Sequence, residues 1–157
     1  MTPINLKSIN NFIFNNLSLV LLIISTSFYF FNWMSFDFLF KFSVNGINPE
    51  FPLFSGVMNE FGYKYFISGT LMIIIHFILI GLIYLDLFSK NDILNKVKVI
   101  LNVVLIFHPL YFLYFYIKLD TESIPRISVF VYLLLIFYLL SLLSQLNIID
   151  LKKYLKV

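Results

Sequence analysis

The sequence has no cysteine among its 157 residues. Disulfides, thiol catalysis, thiolate metal sites and S-acylation are excluded at once. Charge is also scarce: 12% of residues are Asp, Glu, Lys or Arg, against about 25% in soluble domains. Alanine is absent, glycine is scarce, and Arg126 is the one arginine. There is no Gly-rich phosphate cradle, no H-E-x-x-H, no G-x-S-x-G and no pair of carboxylates inside an apolar run. The expectation is a chain that is not an enzyme.

What is present is apolar. The chain is 61% hydrophobic, with a mean hydropathy of +0.94. Four runs reach the roughly 20 residues needed to cross a bilayer: 17–34, 65–85, 99–117 and 127–149. The fold class expected is an all-α membrane protein, a four-helix bundle forming a single domain over 1–157. An outer loop 35–64, an inner loop 86–98, an outer loop 118–126 and an inner tail 150–157 complete it. The N-terminal run lacks a small-residue cleavage site and is expected to stay as an anchor.

Four spans put both termini on one side. With the termini inside, Lys7, Lys90, Lys96, Lys98, Lys152, Lys153 and Lys156 lie inside, and Lys41, Lys64, Lys118 and Arg126 outside. The positive-inside rule favours that orientation. The pI near 9.0 reflects few charges, so a nucleic-acid partner is not expected. The richness in Phe, Ile, Leu, Asn, Lys and Tyr fits an AT-rich genome. A bacterial inner membrane or an organellar inner membrane is the expected location.

The first outer loop opens with SFDFLFKFSVNG. Phe36, Phe38, Phe40 and Phe42 alternate with other residues at period two, the mark of a half-buried strand. Asn45-Gly46 then offers a turn, and Pro49 and Pro52 make the returning arm a poor central strand. One amphipathic strand or a ragged hairpin is expected over the outer helix ends, as a lid or as a partner-docking surface. This four-span layout with a strand-bearing first loop resembles the claudin-type arrangement. The tryptophan and cysteine signature of that loop is absent, so no function or residue role carries over. In length and span number the chain also resembles the lipoprotein signal peptidases. Their two catalytic aspartates have no counterpart within these spans: Asp86 falls at a boundary, and Asp120 and Glu122 fall in a loop.

Polar residues inside spans face the protein interior. Ser18, Ser25 and Asn32 recur every seven residues and form one stripe of the first span. Tyr138, Ser141 and Gln145 share a face of the fourth. They read as helix-to-helix packing contacts or, alternatively, as a hydrophilic path.

Both histidines lie in apolar runs. His76 precedes Leu85 by nine residues, and His108 follows Val99 by nine. At 1.5 Å per residue both lie about 14 Å from the inner boundary. The pair reads as hydrogen-bonded structural groups, as a proton- or quinone-linked site, or as two haem ligands. Two histidines without further ligands are a poor metal site. Pro109 removes a backbone bond to Leu105, so a kink is expected there, with His76 a candidate partner for the freed carbonyl. Trp33, Tyr63, Tyr65, Tyr111, Tyr114 and Tyr116 read as an interfacial aromatic belt, and the basic tail DLKKYLKV as an anchor.

The favoured expectation is an accessory, scaffold or interaction subunit of a membrane complex, with the lipid bilayer and other subunits or copies of itself as partners. A homo-oligomeric pore or membrane-perturbing effector is the first alternative. A redox subunit with bis-histidine haem or a quinone contact is the second.

Overall fold

A computed structural model describes residues 16–37, 41–47, 69–88, 92–118, 126–146 and 148. Of residues 36, 37, 41–44, 115, 116 and 118 only the backbone is described. The described residues are mostly helical. Helix α1 (Leu17–Thr26) runs into a 3-10 turn (Ser27–Tyr29), followed by strands β1 (Asn32–Asp37) and β2 (Lys41–Asn45). Helices α2 (Gly69–Asp86) and α3 (Asp92–Lys118), strand β3 (Arg126–Ile127) and helix α4 (Val129–Gln145) follow. Helix α1 packs on α2 and α4, and α3 also packs on α2 and α4.

Helical periodicity sets what each helix turns inward. On α2 the buried positions are Gly69, Ile73, His76, Leu79 and Ile83, spaced by three or four. On α4 they are Val131, Leu134, Tyr138 and Ser141. On α3 Lys98, Asn102, Leu105, Pro109 and Phe112 follow the same rhythm. Leu22, Tyr29, Trp33, Leu79, Leu105, Leu134 and Tyr138 fill the core. Large apolar side chains such as Ile23, Phe77, Ile100, Phe107 and Ile136 point outward.

Among the described residues two helices, α2 and the Asp92–Tyr114 stretch of α3, are long and apolar enough to cross a membrane, with mean hydropathies of 2.1 and 1.8. The other two apolar helices are shorter. The run expected to be helical from 17 to 34 stops being α-helix at Thr26. Three hydroxyls in a row account for this. Ser25 Oγ and Thr26 Oγ1 donate to the Leu22 carbonyl, and Ser27 Oγ donates to the Ile24 carbonyl. Side-chain donors of this kind compete with the helical ladder. Helix α3 starts earlier than expected, with Asp92 in its first turn, where a carboxylate suits the helix dipole. It continues through Pro109. Helix α4 is capped by Ser128, whose Oγ accepts from the Phe130 amide; Ile127, expected to open that helix, lies in β3.

The amphipathic stretch after α1 is a hairpin, not one continuous strand. Strand β1 pairs antiparallel with β2, with Phe36 opposite Phe42 and Asp37 opposite Lys41. The two strands therefore meet ahead of Lys41, and Asn45-Gly46 closes β2, where the chain bends, instead of joining the two arms of the hairpin. The two ends of a period-two run and its fold-back carry the same alternation, so the pattern alone did not place the turn. Strand β3 adds to the other edge of β1, with Met34 opposite Ile127, giving the order β2-β1-β3. Phe38, Phe40, the returning proline arm beyond Ile47, Tyr63, Tyr65 and the tail 150–157 lie outside the described residues.

Two glycines are required by close approach. A Cβ at Gly46 would run into the Trp33 indole, and one at Gly69 into the carbonyls of Gly46 and Ile47. These contacts seat the end of β2 against the start of α2.

Candidate functional site

His76 is fully buried, and both of its ring nitrogens are engaged. Nε2 lies 3.0 Å from the Leu22 carbonyl and 2.9 Å from Thr26 Oγ1. Nδ1 lies 2.9 Å from the Tyr138 hydroxyl, which lies 2.8 Å from the Tyr29 hydroxyl. The Leu22 carbonyl has no proton to give, so the proton belongs on Nε2. Nδ1 then accepts from Tyr138, and Tyr138 accepts from Tyr29. The chain Tyr29–Tyr138–His76–Leu22 ties α1, its 3-10 turn, α2 and α4 together through buried hydrogen bonds. The role expected of His76, serving the Leu105 carbonyl beside Pro109, is not what it does. It serves Leu22, the carbonyl that also receives the Ser25 and Thr26 hydroxyls.

His108 is buried in an aromatic setting. Its ring stacks on Tyr29 at 5.8 Å and 27° and packs against Trp33 at 4.9 Å. The Tyr29 ring also lies 5.6 Å from His76, so it touches both imidazoles. Bis-histidine haem ligation needs one nitrogen of each ring aimed at a single iron. Here Tyr29 packs on both rings and the His76 nitrogens are engaged, so the arrangement does not fit a macrocycle without being rebuilt. Trp33, expected at the membrane interface, is instead fully buried. Its Nε1 donates to the Phe28 carbonyl at 2.8 Å, and its ring meets Phe112 edge-on at 5.1 Å. It lies on β1, which folds back over the helix ends, rather than on a helix running out to the headgroups.

Nearer the opposite end of α1, the two polar stripes meet. Ser18 Oγ lies 2.7 Å from Ser141 Oγ. Gln145 Nε2 donates to Ser18 Oγ at 3.1 Å. Asn102 of α3 joins them: with its amide turned to match its neighbours, its oxygen accepts from Gln145 Nε2 and from Ser141 Oγ, each at 3.0 Å. Ser25 is buried but bonds within its own helix. Asn32, the third member expected in the first stripe, is on β1 and exposed, because the helix has ended before it.

Lys98 of α3 donates to Asp86 of α2 at 2.6 Å, with side chains only 7% and 21% exposed. These two residues, with Ser18 and Gln145, line a cleft of about 340 Å³ that reaches α1, α2, α3 and α4. Sequence reading placed Asp86 and Lys98 in a loop and passed over Thr26, Tyr29 and Asn102. Asn102 carried a signal, an amide within the run VILNVVL one turn after Lys98. Thr26 and Tyr29 carried none, since an ordinary helix end holds such residues. Among the described residues no group of three His, Asp or Glu side chains is placed to hold a metal ion. No protein-family model, curated protein or solved structure matches this chain.

Proposed function

We propose that the chain is a four-span membrane bundle with both termini on the inner side, in a bacterial or organellar inner membrane. It acts without chemistry of its own, as an accessory, scaffold or interaction subunit of a membrane complex. One observation carries this reading. The two long apolar helices bury only 28% and 33% of their membrane-length windows within the chain. A core helix of a soluble protein is covered by its own fold; these need lipid or a partner to cover them. The polar groups support it from the other side, because the histidine–tyrosine chain and the serine–amide cluster are directed inward and bonded to one another. The orientation rests on the lysine distribution. The shortness of α1 is supported by its cap: non-helical backbone at membrane depth is tolerated where protein covers it, and Trp33 and Met34 on β1 are buried.

The test is native mass measurement of the protein solubilised from its own membrane in mild detergent. A stoichiometric complex, with other subunits or with further copies, is the expected result. A free monomer at every detergent concentration overturns the subunit reading. Liposome flux by the purified protein separates off the pore alternative: solute leakage through the protein alone would sink the accessory role.

A further inference from the structure

The cleft at the Asp86–Lys98 end holds more polar chemistry than the fold itself uses. Asp86 sits in the last turn of α2, where the free carbonyls already carry partial negative charge. Lys98 Nζ neutralises it through Oδ2. Among the described residues, Asp86 Oδ1 and Gln145 Oε1 are buried acceptors without a hydrogen-bond partner. Orphaned acceptors of this kind are costly and call for a donor. The lysine ammonium has three donors and uses one on Asp86. Asp86, Lys98 and Gln145, the residues that carry these groups, line one space of about 340 Å³, where a single water needs roughly 10–15 Å³. The terminal torsions of Asp and Gln side chains are broad, so either oxygen can turn toward the cleft; for Gln145 that turn exchanges the Nε2 bond to Ser18 for one to the occupant.

We propose that this cleft binds a headgroup that carries both a phosphate and a primary ammonium, as in a phosphoethanolamine lipid. The phosphate takes the free donors of Lys98, and the ammonium donates to Asp86 Oδ1 and Gln145 Oε1. The Asp86–Lys98 pair is neutral as a unit, which matches a zwitterion better than an anion. A divalent cation is a poor occupant, since the Lys98 ammonium already sits 2.6 Å from the carboxylate. A choline headgroup is a poor one too, because its quaternary nitrogen has no N–H to give. The lipid source rests on the membrane reading above, though not on the subunit role.

The experiment is native mass spectrometry of the full chain in detergent, titrated with phosphatidylethanolamine, its N,N-dimethyl form, phosphatidylcholine and phosphatidylglycerol of equal acyl chains. Phosphatidylethanolamine should be retained about tenfold more tightly than phosphatidylcholine or phosphatidylglycerol, as expected for hydrogen bonds to charged groups, with the dimethyl form between. A soluble arm competes with free phosphoethanolamine against phosphocholine. Competition by phosphoethanolamine alone assigns recognition to the headgroup, and no competition assigns it to the intact lipid. The paired substitution Asp86→Leu/Lys98→Leu should abolish the preference, and Gln145→Leu should reduce it several-fold, each checked for helix content. Equal retention of the ethanolamine and choline lipids by the native chain overturns the proposal. So does an unchanged preference in either folded variant. Flotation with vesicles reads the membrane reading separately: a chain that does not float fails that reading, while one that floats without preference fails this one.

Discussion

The hydroxyl of Tyr138 stands 2.9 Å from Nδ1 of His76, in a part of the protein where neither side chain has any exposed surface. Tyr138 comes from α4 and His76 from α2. The tyrosine accepts from Tyr29 and donates to His76, and the histidine donates to Leu22 of the first helix. Three segments far apart in sequence, the first holding both Leu22 and Tyr29, are thus held by one directional chain. Apolar contact between helices has no direction and little driving force in lipid, so such a chain fixes which helix faces meet.

Tyr138→Phe should therefore destabilise the protein by about 1–3 kcal/mol, the range for leaving buried partners unsatisfied. It strands both the Tyr29 hydroxyl and His76 Nδ1. Tyr29→Phe removes only the terminal donor and should be milder. The double variant should lose less than the sum of the two, because the members share partners. Thermal or denaturant unfolding in a fixed detergent measures all three; additive losses would dissolve the chain into independent contacts.

The glycines make a second, internally controlled prediction. Gly46→Ala and Gly69→Ala push a methyl into the Trp33 ring and into backbone carbonyls, respectively. Each should lower stability. Gly81 sits within α2 with nothing within 4 Å of an added Cβ, and Ala is favoured over Gly in a helix by about 1 kcal/mol. Gly81→Ala should be neutral or stabilising. Melting temperatures of the three variants, measured side by side, check the ordering.

Much of this arrangement was legible from spacing, and the failures have physical reasons. The inward faces follow from period, so Ser18, Ser141 and Gln145 were set facing a common interior before any contact was known. The buried position of both histidines was likewise readable from their apolar surroundings. Where the first helix ends was not. Over the window 17–34 the mean hydropathy stays high, and hydropathy does not register that Ser25, Thr26 and Ser27 bond back to the carbonyls behind them. That early ending moves Asn32 and Trp33 from a helix to a strand, and takes Trp33 from the interface into the core. The hairpin reversal escaped because a strand and its fold-back present the same alternation. The Tyr29–Tyr138 contact escaped because it joins residues 109 positions apart, which no local pattern encodes.

The serine–amide cluster should respond more gently than the histidine chain. Interhelical hydrogen bonds of this kind average about 0.6 kcal/mol and reach about 1.7. Ser18→Ala should fall near the lower figure, since Ser141 keeps Asn102 and Gln145 as partners. Asn102→Leu should exceed it, because it leaves Gln145 and Ser141 without their shared acceptor. Unfolding midpoints in detergent order the two, and a larger effect for Ser18→Ala would mean the cluster is organised around α1 instead.

The two histidines carry the sharpest spectroscopic prediction. Tyr29 packs against both imidazoles, at 5.6 Å and 5.8 Å between ring centres, and His76 already uses both nitrogens. Protein purified from cells supplied with haem precursor should therefore show no Soret band, and added hemin should keep the spectrum of the free compound. Tyr29→Ala removes the ring that touches both histidines and one end of the hydrogen-bonded chain, so it is the variant in which ligation has the best chance to appear. A stoichiometric Soret band with bis-imidazole character in the native protein, lost in His76→Phe and His108→Phe, would show that the pair opens around a cofactor and that the tyrosine packing is only one of its arrangements.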